Sequence, residues 1–243
     1  MFPAKAKDGL DFVPSHAQAK DALPWMGFEA REAILDVLDQ AVGDPGAQVR
    51  CVGYDLNQPE VVTRLEKLGT RLKMIIDDSA DHGLKGSAEN EAELRLVKAA
   101  GRGNVQRQKM SNLQHNKFIA VNGPKAQLAV CGSTNFSWRA FYVQNNNALV
   151  LQGRSAVKLF FDAFDGYSKN STGSGKADVA GFAATASVKW TSLGLAGIDA
   201  EAAFSPHSAA NALLKSVADD VQDSTTSSLF LFVSVSLSNQ RSH

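Results

Sequence analysis

What most constrains this chain is a hydrophobic period that switches repeatedly between helix spacing and strand runs. Ala30, Ala33, Ile34, Val37, Leu38, Ala41 and Val42 recur at helical spacing, with Glu29, Arg31, Glu32, Asp36 and Asp39 between them. Gly43-Asp44-Pro45-Gly46 stops that helix. Gln48 to Tyr54 then reads as a strand, and Val61, Val62, Leu65 and Leu68 mark one face of a second helix. Arg71 to Ile76 reads as a strand, Glu89 to Ala99 as a helix and Asn104 to Gln108 as a short strand. Such alternation predicts an α/β layer fold with a mixed, mostly parallel sheet. From Leu113 the pattern changes to strand (Asn116–Val121), turn (Asn122-Gly123-Pro124), strand (Gln127–Cys131), polar loop and strand (Asn147–Leu151). A helix follows, with Val157, Phe160, Phe161, Phe164 and Tyr167 on its apolar side.

The flanks are less regular. Residues 1–24, with Pro3, Pro14 and Pro24, predict a loose N-terminal arm, and residues 169–196 a linker. Gly173-Ser174-Gly175-Lys176 within that linker lacks the upstream Gly of a phosphate-binding loop, since Asn170 stands there, and no strand precedes it. Ser205-Pro206 opens a helical stripe from Ala210 to Val221, and Ser228–Leu237 reads as a strand. Helix then strand is also how the regular region begins. Residues 197–243 therefore predict the start of a second, repeated half, offset by roughly 180 residues and cut short.

Composition narrows the function classes. Lys+Arg and Asp+Glu are 25 each, so the net charge is zero, which argues against a strongly basic nucleic-acid binder. With 44% hydrophobic and 21% charged residues, disorder as the main state is excluded. Cys51 and Cys131 sit in apolar strand runs and predict two small buried hydrophobes rather than a disulfide framework. No apolar run is long enough to span a bilayer and no secretory signal opens the chain, so the default expectation is a cytoplasmic protein without a transmembrane segment.

The chemistry concentrates in Gln114-His115-Asn116-Lys117 and Cys131-Gly132-Ser133-Thr134-Asn135. Residues i and i+2 of a strand share a face, so His115 and Lys117 project together, as do Ser133 and Asn135. On neighbouring strands these four groups converge at one end of the sheet, where α/β folds keep their ligands. Each suits a phosphodiester. A neutral imidazole can attack phosphorus, a lysine can neutralise phosphate oxygens, and Ser133 and Asn135 can donate hydrogen bonds to them. Gly132 lets the backbone approach closely. Lys117 should also lower the pKa of His115. The other histidines, His16, His82, His207 and His243, are scattered without a metal-ligand spacing, so no metal and no cofactor are expected. Trp138 follows directly and could wall the pocket.

The pattern HxK…GSxN, in the context QHNKFIAV…CGSTNFSWRAFYVQNNNALVL, resembles the HKD motif of the phospholipase D superfamily. The resemblance covers about residues 24–168 as one catalytic half and, more weakly, 203–233 as the opening of another. It implies a phospholipase D-like α/β/α sandwich and a metal-independent phosphoric diester hydrolase or transferase working through phosphohistidine. His115 would be the nucleophile or general acid, and Lys117, Ser133 and Asn135 would hold phosphate. The motif's aspartate falls at Asn122, and a carboxylate that often orients the histidine falls near Asn146. Members pair two such motifs, so a homodimer could supply the second histidine. The implied substrate is a phospholipid or small diester rather than a long nucleic acid. Two alternatives stand beside this: a silent half-site used for binding or assembly, and a dimeric nuclease-type phosphodiesterase.

Overall fold

A computed structural model describes residues 2–3, 9–172, 175–207 and 212–225. Helix α1 (Ala19–Gly43) starts inside the stretch expected to be a loose arm. Pro24 lies within it and removes one helical hydrogen bond, but Leu23 and Met26 on the same turns pack against the core. The residues before α1 are also anchored. Leu10 is buried, the Trp138 indole N–H donates to the Gly9 carbonyl at 2.8 Å, and Phe12 meets the Trp138 ring edge-on at 5.4 Å. These partners lie more than a hundred positions away, so local periodicity carries no trace of them.

The alternating region then runs β1 (Gln48–Gly53), α2 (Pro59–Lys67), β2 (Leu72–Asp77), α3 (Ala88–Ala100) and β3 (Val105–Gln108). Local chemistry sets the boundaries. Pro59, with its fixed φ, opens α2, and the Ser87 hydroxyl accepts from Asn90 N–H to cap α3. Next come β4 (Phe118–Asn122), β5 (Gln127–Gly132), the short α4 (Trp138–Tyr142), β6 (Ala148–Gln152) and α5 (Arg154–Lys169). The strands form one six-stranded sheet in the order β3-β2-β1-β4-β5-β6. The β1–β2 and β2–β3 pairs are parallel, and β1–β4, β4–β5 and β5–β6 are antiparallel. By direction the mixed sheet is mostly parallel, since β1, β2, β3 and β5 run one way and β4 and β6 the other.

The period of two within the strands splits the core in two. Val49 and Cys51 of β1, Met74 and Ile76 of β2, and Ile119 and Val121 of β4 face one side, under α1, α2 and α3. Val52, Ile75, Phe118 and Ala120 face the other, under α5. The result is an α/β/α sandwich. Cys51 is fully buried, and burial pushes its thiol pKa up; Cys131 is half-buried and pushed up to about 11.

The expected linker is not a free connector. Residues 175–204 carry α6 (Val179–Ala183) and a small hairpin of β7 (Thr191–Ser192) and β8 (Glu201–Ala202). The Phe182 ring stacks on Tyr167 of α5 at 4.0 Å, and Leu193 and Phe204 are buried in the same cluster. These apolar side chains cover the outer surface of α5, which outweighs the Gly/Ser-rich composition nearby. Helix α7 (Ala212–Gln222) follows. The expected strand at 228–237 lies outside the described residues. No helix among the described residues is long and apolar enough to cross a membrane.

Candidate active site

Strand direction decides which residues meet. β1 and β2 end at one edge of the sheet; β4, antiparallel to β1, begins there, and β5, antiparallel to β4, ends there. That edge gathers Tyr54 and Asp55 after β1, Asp77 to His82 after β2, Gln114 to Lys117 before β4, and Gly132 to Asn135 after β5.

His115 and Lys117 are not strand residues, because β4 starts at Phe118. They occupy the extended segment before it and still share one neighbour, the Tyr54 ring. His115 meets that ring edge-on with centroids 4.6 Å apart, and Lys117 Nζ lies 5.0 Å from its centre, a cation–π contact. Lys117 Nζ also donates to the His115 carbonyl at 2.6 Å. A chain of amides holds the segment: Asn116 donates to Gln114, Gln114 to Gln108, and Gln108 to the Tyr167 carbonyl of α5. Gln108 and Gln114 are fully buried, so this relay fixes the approach to β4 at little conformational freedom.

Burial dominates the electrostatics. Desolvation, and next the Lys117 ammonium, hold the His115 pKa down at about 4, with Asp77 pulling the other way. Burial lowers Lys117 to about 8 against the opposing pull of Asp55 and Asp77. At pH 7 the edge therefore presents a neutral imidazole beside an ammonium.

Ser133 and Asn135 stand across from this pair. The Ser133 hydroxyl accepts from Asn147 N–H at 2.9 Å, which leaves its proton to donate. Asn135 carries a buried side-chain oxygen with no hydrogen-bond partner. Gly132 adopts φ +148°, and a Cβ there would run into the Asn147 backbone. The glycine is thus required by the close passage of Asn147, where the sequence suggested approach to phosphate.

Three expected site residues lie elsewhere. Asn122 is exposed at the far end of β4, paired with Gln48 at the start of β1, because a five-residue strand separates it from Lys117. Asn146 donates to the Ala140 carbonyl and to Gln144, and lines a cavity of about 460 Å³ between α1 and the α4–β6 loop. No bond joins it to His115. Trp138 is buried among Phe2, Phe12 and Tyr142, because its N–H caps onto Asn57 and its indole reaches Gly9. It clamps the N-terminal segment instead of walling the site.

The carboxylate that serves this edge is Asp77, fully buried at the end of β2. It accepts from Gln114 N–H at 2.6 Å, from Ser79 N–H at 3.0 Å, from the Ser79 hydroxyl, and pairs with His82 Nδ1 at 2.9 Å. Its hydrogen bonds keep its pKa low despite burial. An aspartate pair closing a core strand, Asp77-Asp78, followed by Ser79 and His82, is a signal the sequence reading passed over. Asp55, His82 and Glu89 also bring three donor atoms within 4.8 Å of one another, a set able to hold a divalent cation. They come from three different elements, so no spacing rule reveals them.

Comparisons with known proteins place the chain. It resembles the crystal structure of Nuc from Salmonella typhimurium, a phospholipase D family member (20% identity, 56% of this chain and 84% of that one, TM-score 0.45). It resembles NucT from Helicobacter pylori (15% identity, 57% and 88%, TM-score 0.46). It also resembles the polyphosphate kinase of Porphyromonas gingivalis (17% identity, 56% and 24%, TM-score 0.42). No curated protein matches. The family profile described as cardiolipin synthase, PLD-like domain, matches residues 36–167, more than half of the chain and the whole six-stranded sheet with its edge of His115, Lys117, Ser133 and Asn135. The chain belongs to the phospholipase D-like phosphodiesterase superfamily.

Proposed function

We propose that the chain is a phosphodiesterase that works through a phosphohistidine on His115, with a phospholipid or small diester as substrate. The observation that carries this is a half-buried imidazole, kept neutral by burial, beside the Lys117 ammonium at the strand edge. A ring nitrogen of His115 attacks phosphorus, and the departing alkoxide takes a proton from a second motif histidine, which a homodimer would supply. Lys117 neutralises the non-bridging oxygens, and the Ser133 hydroxyl and the Asn135 amide donate to them. Water then hydrolyses the phosphohistidine, or an alcohol takes the phosphoryl group. The lipid or small-diester preference is supported by the zero net charge and by the family description. Neither supplies the basic surface that long nucleic acids require.

The test is to incubate the protein with a diester labelled on phosphorus and to map the label by mass spectrometry under alkaline conditions, where phosphohistidine survives. Label should sit on His115, and His115→Ala should neither label nor turn over. Unchanged turnover in His115→Ala would overturn the proposal.

A further inference from the structure

Asp55, His82 and Glu89 come from the loop after β1, the turn after β2 and the first turn of α3, and their donor atoms lie within 4.8 Å of one another. Each side chain is already oriented. The buried Asp77 carboxylate, which accepts from Gln114 and Ser79, holds His82 Nδ1 at 2.9 Å. An ionised carboxylate only accepts, so Nδ1 carries the proton and the lone pair of the neutral ring sits on Nε2. Glu89, 2% exposed, accepts from Leu56 N–H at 3.0 Å, and Asp55 accepts from the Asn57 amide at 3.1 Å. His82 Nε2 faces Glu89 Oε1 at 3.9 Å, too far for a hydrogen bond. In this tautomer two acceptors look at each other across the gap, with a third, Asp55, alongside. Among the described residues no lysine or arginine forms an ion pair with Asp55, Asp77 or Glu89. The start of α3 accounts for one carboxylate there, but not for a second carboxylate and an imidazole turned toward it.

We propose that Asp55, His82 and Glu89 bind one zinc ion, through His82 Nε2 and one oxygen of each carboxylate, with water as the fourth ligand. An imidazole beside two carboxylates suits zinc, whereas magnesium and calcium prefer oxygen alone. Ligands of a zinc ion stand about 3.3 Å apart at bond lengths of about 2.0–2.1 Å, so the His82–Glu89 pair closes by only about half an ångström. Asp77 is then the outer carboxylate that fixes the ligating ring and strengthens its lone pair. The ion ties the β1 loop, the turn after β2 and α3 together beside the Tyr54 ring, which His82 and His115 both meet at 4.6 Å. Its role is structural, so the assignment stands apart from the phosphodiesterase reading and leaves the reaction at His115 without a metal.

Calorimetry and melting curves test this. Untagged protein is stripped with EDTA, dialysed, and titrated with zinc chloride. One zinc per chain should bind, and the melting temperature should rise by about 5 °C or more at about 100 times the dissociation constant. Millimolar magnesium or calcium should produce neither effect. Glu89→Gln, which keeps an acceptor for Leu56 N–H, and His82→Gln should each weaken zinc binding about 100-fold, and Asp55→Asn about tenfold. His16→Gln, on an exposed histidine outside the set, should leave it unchanged. Absence of saturable binding at one equivalent would overturn the assignment. Unchanged affinity in all three ligand variants would overturn it too, since that is the behaviour of an adventitious ion only. If the variants at Glu89 and His82 fail to fold, cobalt decides, bound in place of zinc to wild type and to Asp55→Asn. Wild type should show a visible absorption band that Asp55→Asn weakens; an identical band in both, or none in either, would overturn the assignment.

Discussion

At the start of β4, His115 and Lys117 sit among groups from four separate segments; at its end, five residues on, Asn122 faces solvent. Both ends have a buried carboxylate, and neither carboxylate belongs to β4. At the start it is Asp77, which ties down Gln114 and His82. At the end it is Asp44 of the α1–β1 turn, which accepts from Lys125 N–H at 2.8 Å, Ala126 N–H at 3.2 Å and Gly46 N–H at 3.3 Å. Those amides, Lys125 foremost, hold the Asp44 pKa low. The difference teaches that a carboxylate's role follows from what it faces: Asp77 faces imidazoles and an ammonium as well as amides, Asp44 chiefly backbone amides with the Lys125 charge behind them. Beside Asn122, where the motif would place an aspartate, the β4–β5 hairpin is held by Asp44.

The comparison can be broken at either end. The largest effect should come from Lys117→Gln, with turnover of a phosphodiester falling about 10³-fold while the melting temperature holds, because a charge on the phosphate is lost and an unfavourable burial relieved. Asp77→Asn should cost about 3 kcal/mol in urea titration, since it removes a buried, multiply bonded charge, and should lower activity as well. Retention of full stability in that variant would mean that the edge is held by the amide relay alone.

Smaller effects follow with pH. Activity should hold between pH 6 and 7 and decline above about 8 as Lys117 loses its proton. His115 has a folded pKa of about 4 against an ordinary 6.5, so the folded state binds its proton less readily than the unfolded chain does. Its contribution to stability is present above about 6.5 and is lost as the pH falls toward 4. His115→Ala should accordingly lose less stability than wild type across that window, as read from melting curves. At the far end of β4, Asp44→Asn should lower the melting temperature by a few degrees without changing kcat. Asn122→Asp, which restores the motif carboxylate, should shift stability by less than about 0.5 kcal/mol and leave turnover untouched. A gain in activity there would join the two ends that the fold keeps apart.

The alternating core was legible because helix and strand periods are local properties. Val61, Val62 and Leu65 mark α2, and the apolar run around Cys51 marks β1, whatever the rest of the chain does. The packed N-terminal segment was not legible, because Gly9 and Phe12 find their partner in Trp138, far along the chain. The same holds for residues 175–204, whose Phe182 is explained only by the ring of Tyr167. In the site, the sequence singled out His115, Lys117, Ser133 and Asn135 as candidates, whereas Tyr54, Asp77 and His82 carry no local signal that joins them to that edge.

By itself the sequence determined the layer class and the order of the core elements, and it singled out four polar residues as candidates, because each depends on residues within a few positions of one another. Only the tertiary structure decided which carboxylate serves that edge, that a second imidazole shares Tyr54 with His115, and that Asn122, Asn146 and Trp138 belong to other surroundings. The physical reason is the antiparallel placement of β4 against β1. It brings the end of β2 and the start of β4 to the same edge, about forty residues apart in the chain, and sends Asn122 to the opposite one.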